Sequence, residues 1–180
     1  MQVQHVNELG QQVGAPVPDW SARERPGREP MTGQYCRVEP IDIARHASDL
    51  FEACLKDREH RMWTYLSYGP FLTLDQYRDW LAHTALGADP FFHAIIDLAT
   101  GKAVGVAAYL RIDPAMGSIE VGHLAFSPLL ARTRLATEAM ALMMERAFTL
   151  GYRRYEWKCN ALNAKSRAAA LRLGLSYEGV

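Results

Sequence analysis

Three apolar runs crowd into residues 91–126: "FFHAIID" (91–97), "AVGVAAYLRI" (103–112) and "SIEVGHLAF" (118–126). The links between them, "LATGK" and "DPAMG", are short and rich in turn-forming residues. A parallel pair needs a crossover of about a dozen residues or more, so links this short require antiparallel hairpins. A three-stranded antiparallel meander is therefore the centre around which the rest of the chain must arrange itself.

The flanking segments extend that centre on both sides. "QYCRVEP" (34–40) alternates as a first strand. "IDIARHASDLFEACLKD" reads as a helix capped by Asp42, with Ile43, Ala47, Leu50, Phe51, Cys54 and Leu55 along one face. "RMWTYLSYGPF" (61–71) is an aromatic, proline-broken loop, and "TLDQYRDWLAHTAL" a second helix capped by Thr73 or Asp75. After the meander a helix runs to Leu150 and stops at Gly151. "YRRYEWKC" (152–159) follows as a strand, "NAKSRAAALRLG" (163–174) as a helix ending at Gly174, and "LSYEGV" as the start of another strand. Antiparallel pairs followed by a β-α-β crossover place the chain in the α+β class, with a mixed, mostly antiparallel sheet flanked by helices. The length of 180 residues suits one domain, read here as 34–180. Residues 1–33, with "APVPDWSARERPGREPMTG", are expected to form an extended N-terminal arm, with Val17 and Trp20 as anchors.

Charge and cysteine usage remove several function classes. The formal net charge is zero, so no basic excess points to nucleic acid or to an anionic membrane surface. Cys36, Cys54 and Cys159 are far apart and show no metal-ligand spacing, so neither zinc nor a disulfide framework is expected. The N-terminus has no apolar signal core, and no apolar run reaches the roughly 18 residues of a membrane span. A cytoplasmic protein without a metal is the expectation. No Walker loop, Gly-x-Ser-x-Gly elbow or dinucleotide glycine pattern is present.

"LLARTRLATEAM" (129–140) brings Arg132 and Arg134 to the start of a helix, where cations ordinarily cost about 0.3–1 kcal/mol each. Two readings of the junction stand. Ser127-Pro128 are N-cap and first helical residue, or Thr133 is the N-cap and "SPLLAR" a loop. The second leaves the amides of Arg134, Leu135, Ala136 and Thr137 pointing out of the helix end, a ready anion site. Either the arginines meet a bound anion there, or they are simply solvated.

Glu120 sits mid-strand between Ile119 and Val121, where an unpaired acid is costly. Burial against an apolar wall would raise its pKa toward that of a useful general base; the alternative is a hydrogen-bonded structural carboxylate. His123, three residues on, projects to the opposite face of a regular strand, unless a β-bulge brings both inward.

"IEVGHLAFSP", the helix start ending "ATEAM", "YRRYEWKCNALNAKS" and the closing "RLGLSYEG" occur in an order and spacing that resemble the GNAT superfamily of acyl-CoA-dependent N-acetyltransferases. The likeness is greatest to the branch related to RimJ and RimL, and spans residues 34 to 180. The resemblance implies a GNAT fold, acetyl-CoA as co-substrate and a primary amine as acceptor: a protein N-terminus, a polyamine-like molecule or an amino sugar. It implies that Arg132, Thr133, Arg134, Leu135, Ala136 and Thr137 cradle the pyrophosphate of coenzyme A, with Asn163 near the pantetheine. It further implies direct attack, in which Glu120 takes the amine proton. A backbone amide near Phe126 polarises the thioester carbonyl, and Ser166 reaches the leaving sulfur. Trp63, Tyr65, Tyr68 and His123 are then candidates for the acceptor pocket, or else core.

The sequence departs from the family pattern in four places. Ala131 and Arg134 occupy the first and fourth positions of the Gln/Arg-x-x-Gly-x-Gly/Ala loop, so Arg134 replaces a glycine. Ala170 stands where many members carry a tyrosine acid, and Leu175 where they carry phenylalanine. The chain also stops at Val180, inside the first of two strands that complete this fold, so it is expected to lack its last strands. A frayed terminus after Leu175 or an edge-to-edge homodimer follows from that expectation. These departures favour the rival reading, a non-catalytic acyl-CoA-binding or protein-interaction module on the same fold.

Overall fold

The computed structural model describes residues 5–180. A small hairpin, β1 (His5–Val6) with β2 (Gln12–Val13), stands apart from the main sheet. That sheet contains β3 (Met31–Thr32), β4 (Cys36–Pro40), β5 (Phe91–Asp97), β6 (Ala103–Asp113), β7 (Ser118–Phe126) and β8 (Arg154–Trp157), in that spatial order. Neighbours from β3 to β7 pair antiparallel, and β7 pairs with β8 in parallel. The meander of residues 91–126 is thus the middle of the sheet, as its short links require.

Four helices among the described residues each begin at a side-chain cap. α1 (Ile43–Cys54) starts where Asp42 accepts from the Arg45 amide at 3.1 Å, and α2 (Leu74–Thr84) where Thr73 accepts from Gln76 at 3.2 Å. α3 (Arg134–Thr149) starts at Thr133 and α4 (Ala164–Arg172) at Asn163. Each cap satisfies one of the amides that a helix start leaves without an internal partner. A short 3-10 turn, Arg61–Trp63, interrupts the link between α1 and α2.

The helices divide between the two faces of the sheet. α3 covers one face, where Met140 and Met143 pack among Val38, Ile95, Tyr109, Ile119 and Val121. α1 and α2 cover the other, where Leu50, Tyr77 and Leu81 meet Phe92, Val106 and Ala108. The buried Tyr109 hydroxyl donates to the Met143 carbonyl at 2.5 Å, so its polar end is satisfied in the core.

Two irregularities shape the working end of the sheet. Between the Val106–Ala125 and Ala108–Gly122 pairs, β7 contains one extra residue, a bulge at His123 and Leu124. Between the Leu110–Glu120 and Asp113–Ser118 pairs, β6 contains one at Arg111 and Ile112. His123 (φ +51°) and Arg111 (φ +46°) both lie in the left-handed region, an unusual conformation for residues with side chains. The parallel ladder ends at Val121–Trp157, while β7 runs on to Phe126 against β6. Beyond that pair β7 has no β8 partner, and a fork opens.

Some expectations need correction. The first strand begins at Cys36, two residues later than the alternation suggests, because Gln34 and Tyr35 form the turn from β3. β8 is confined to Arg154–Trp157 within the expected 152–159. Trp20 is anchored, its indole donating to the Ala115 carbonyl at 2.6 Å with the ring over Gly117, whereas Val17 is exposed. The final "LSYEGV" forms no strand. The amide of Leu175 bonds to the Ala170 carbonyl around Gly174 (φ +91°), which turns the chain out of α4. Glu178 then pairs with Arg154.

A carboxylate fixes α3 to the sheet edge. Glu138 accepts the backbone amides of Gln34, Tyr35 and Cys36 at 2.7, 2.7 and 2.8 Å, and a Cβ on Gly33 would collide with it. Burial opposes the charge, but the three amides outweigh it and hold the pKa below the ordinary 4.5. A depressed carboxylate pKa adds stability above the unfolded value, and that stability is lost as pH falls through the folded value. Glu138→Gln is therefore expected to cost about 1–2 kcal/mol at neutral pH, after allowing for solvent screening. The difference from wild type should shrink as the medium is acidified below the ordinary carboxylate range. Urea denaturation of both proteins at neutral and acid pH measures it.

Candidate active site

The loop between β7 and α3 is held from beneath. Ser127, buried, donates to the Val104 carbonyl at 2.5 Å, and its own carbonyl accepts the amides of Leu130 and Ala131. Leu130 is fully buried, seated over Gly105 at a point where any Cβ would strike it. These contacts make "SPLLAR" a loop, so Thr133 is the cap of α3. Its hydroxyl donates to the Leu130 carbonyl at 2.6 Å and accepts from the Ala136 amide at 3.3 Å.

That cap changes which amides are available. Ala136 is taken by Thr133, and Thr137 lies where the cap carbonyl receives the first helical bond. Among the described residues, the amides of Arg132, Arg134 and Leu135 have no protein acceptor. Arg132 has φ +64° and Thr133 after it is extended, so the chain turns sharply just before α3. The side chains divide. Arg132 is exposed at this turn, whereas the Arg134 guanidinium lies over the Tyr35 ring at 4.0 Å. Only one of the two arginines is thus left beside the loop; Arg134 joins Glu138 in clasping the 33–36 turn.

Across the fork, Asn163 caps α4 by accepting the Ser166 amide at 3.2 Å. The Ser166 hydroxyl oxygen accepts from the indole Nε1 of Trp157 at 2.9 Å. Phe126, half-buried, ends β7 opposite Gly105 and packs against the α3-side core. Arg132, Thr133, Leu135 and Ala136 thus follow the end of β7 at Phe126, and Asn163 and Ser166 follow the end of β8.

On the opposite face of the sheet, Glu120 is only 3 % exposed, yet it does not lie against an apolar wall. Arg111 Nη1 and Lys158 Nζ both bind its Oε2 at 2.7 Å. Oε1 has no hydrogen-bond partner among the described residues and faces Gly122, beside the bulge. Lys158 also pairs with Glu156, and the two carboxylates raise its pKa above 10.5 despite the opposing effect of burial. The bulge turns His123 onto the Glu120 face, where its ring meets Phe92 at 4.9 Å and stacks on Tyr68 at 5.7 Å. Burial lowers the His123 pKa below 6.5, Arg111 adds to the effect and Glu120 opposes it. Neither ring nitrogen of His123 bonds to protein among the described residues.

The aromatic segment divides as well. Trp63 is buried beneath Gly69 and packs edge-on against Phe71, so it belongs to the core under α1 and α2. Tyr68 is the ring that reaches His123, backed by Trp80 at 4.4 Å. Tyr65 is half-exposed, and its hydroxyl donates to the Leu162 carbonyl at 3.1 Å, tying this segment to the β8–α4 turn. Sequence reasoning missed Arg111, Lys158, Trp157, the bond from Ser127 to Val104 and the Gly105–Leu130 contact, because each joins residues of different elements. The tryptophan closing the short strand "RYEW" was the one available signal. A cavity of about 620 Å³ lies elsewhere, at the start of α1, lined by Arg28, Pro40, Asp42, Arg45 and Leu86. None of the fork residues lines it, and its Glu39 is already paired with Arg37, Arg45 and His46.

Residues 37–176 match the Acetyltransferase (GNAT) domain, and the chain belongs to that family of acyl-CoA-dependent acetyltransferases. It is 41% identical to a GCN5-related N-acetyltransferase from Brucella melitensis, covering 91% of this chain and 74% of that one with a TM-score of 0.88. A probable acetyltransferase from Chromobacterium violaceum is 38% identical, with 93% and 83% covered and a TM-score of 0.85. RimL, a ribosomal L7/L12 α-N-protein acetyltransferase solved with coenzyme A, shares the fold at 17% identity, with 84% and 86% covered and a TM-score of 0.67. No curated protein matches the chain. No helix among the described residues is long and apolar enough to cross a membrane, and no His, Cys, Asp and Glu side chains gather there as a metal site.

Gly105 controls the loop without touching it chemically. Gly105→Ala is expected to displace Leu130, cost about 1–3 kcal/mol of stability and weaken coenzyme A binding. Thermal unfolding and calorimetric titration with coenzyme A read the two effects separately.

Proposed function

We propose that this protein transfers the acetyl group of acetyl-CoA to a primary amine by direct attack. The observation that carries the reading is the fork itself, with the unpaired Arg132, Arg134 and Leu135 amides on one side and the Ser166 hydroxyl on the other. Such amides suit the pyrophosphate of coenzyme A, with Arg132 adding a positive charge beside them. Asn163 is positioned toward the pantetheine and Ser166 toward the thioester sulfur, while a backbone amide near Phe126 polarises the carbonyl.

The amine enters from the Tyr68 side. Glu120 Oε1, the oxygen left free by Arg111 and Lys158, accepts a hydrogen bond from the amine, and the neutral His123 ring takes its proton. The nitrogen bonds to the carbonyl carbon as it loses that proton. The C–S bond then breaks with its electron pair on sulfur, and the Ser166 hydroxyl donates a hydrogen bond to the thiolate. His123 returns the proton through solvent to give coenzyme A thiol and an acetylated amine. The chemistry gives Glu120 the role of orienting carboxylate, because its pairing with two cations is a reason to place the proton elsewhere.

A panel of amines (peptides with free N-termini, polyamines and amino sugars) tests the activity through coenzyme A thiol release. Amine-dependent release is expected. Binding of acetyl-CoA with no release across the panel would establish the non-catalytic module instead.

The pH profile tests the roles. At saturating amine and acetyl-CoA, kcat should fall as pH drops through a pKa below 6.5, where His123 becomes charged. His123→Gln should abolish that limb and lower kcat by about 10²-fold. Glu120→Gln should shift the limb to lower pH, since it removes the charge that raises the imidazole pKa. Loss of all turnover in Glu120→Gln, with the limb retained in His123→Gln, would return the proton to Glu120.

A further inference from the structure

Resting on that reading of Ser166, we infer that Trp157 is a positioning residue for the leaving group: its indole N–H fixes the direction in which the Ser166 hydroxyl donates. Trp157 is the last residue of β8, paired with Val121 at the point where the two strands part. Its Nε1 donates to Ser166 Oγ at 2.9 Å. The neighbouring backbone is fixed by Asn163, which accepts the Ser166 amide.

A serine hydroxyl has one proton and two lone pairs, whereas an indole N–H can only donate. Trp157 therefore occupies a lone pair and cannot take the proton. The usual local acceptors for a serine in the first turn of a helix are the carbonyls three and four residues back, here that of Asn163, which accepts the Arg167 amide at 3.0 Å and makes no bond with the Ser166 hydroxyl, and that of Leu162. That carbonyl already accepts the Ala164 amide at 2.9 Å and the Tyr65 hydroxyl at 3.1 Å. No other protein group among the described residues accepts the Ser166 proton. It is thus directed into the fork, toward the position of the departing sulfur. A tyrosine, asparagine or serine in place of Trp157 would offer an oxygen that competes for the same proton.

The interaction strengthens as negative charge develops on sulfur, so its effect belongs to turnover rather than to ground-state binding. Trp157→Phe keeps a ring at the strand end and removes only the donor. It should lower kcat about three- to tenfold, with the KM for acetyl-CoA changed less than about twofold. In a Ser166→Ala background the same substitution should cost nothing further. A readout without an acceptor is the thiol pKa of bound coenzyme A, followed by ultraviolet thiolate absorbance. Trp157→Phe and Ser166→Ala should each raise it, and the double variant no more than Ser166→Ala alone. Trp157→Leu is a second donor-free variant should the phenylalanine protein fold poorly.

Additive losses in the double variant would overturn the inference, as would a Trp157→Phe defect confined to KM. A defect in Ser166→Ala with none in Trp157→Phe would also overturn it while leaving the role of Ser166 standing. Normal turnover and thiol pKa in Ser166→Ala would remove both.

Discussion

The parallel pairing of β7 with β8 lasts for four residue pairs, Ser118–Arg154 to Val121–Trp157, and then stops. A sheet that continued its ladder would leave no backbone free to meet a substrate. Here β7 goes on alone against β6, and the extra residue at His123 and Leu124 increases its local twist. The loop amides follow the end of β7, and the capped start of α4 with the Ser166 hydroxyl follows the end of β8. The proposed chemistry depends on a break in regular structure that the rest of the sheet is large enough to hold.

Holding it requires anchors on both sides. Leu130 and Ser127 secure the loop before α3 to the floor of β6, while Glu138 and Arg134 fasten α3 to the turn between β3 and β4. On the other side, the Tyr65 hydroxyl ties the aromatic segment to Leu162, one residue before the cap of α4. The replacement of a glycine by Arg134 becomes intelligible in this arrangement. Its side chain leaves the loop for the face of Tyr35, so it does not crowd the amides.

The Glu120 side of the sheet follows a different physical rule. A buried carboxylate survives by being paired, and Glu120 takes two cations on one oxygen. Arg111 comes from the β6 bulge, whose amides at Arg111 and Ile112 are held by Asp89 at 2.8 and 2.9 Å. Two bulges on adjacent strands thus cooperate, one supplying the counter-charge and the other turning the imidazole to the same face.

The sequence by itself determined the meander, the four helices, their mixed sheet and the family, because short links, caps and periodicity are local properties of the chain. Asp42 could be read as a cap from its own neighbourhood, the second cap could be narrowed to Thr73 or Asp75, and "SIEVGHLAF" could be read as a strand from its apolar run and short links. Only the tertiary structure decided between Ser127 and Thr133 as the cap of α3, since the choice rests on Val104 and Gly105, more than twenty residues away. It also decided the surroundings of Glu120: the strand pattern left open a base against an apolar wall or a hydrogen-bonded structural carboxylate, and the fold buries it with Arg111 and Lys158 converging on one oxygen. The direction of the Ser166 proton had the same origin, requiring Trp157, Tyr65 and Leu162 to meet in space. Local pattern specifies which backbone elements form; the charge and hydrogen-bond state of a side chain is set by whatever the fold brings against it.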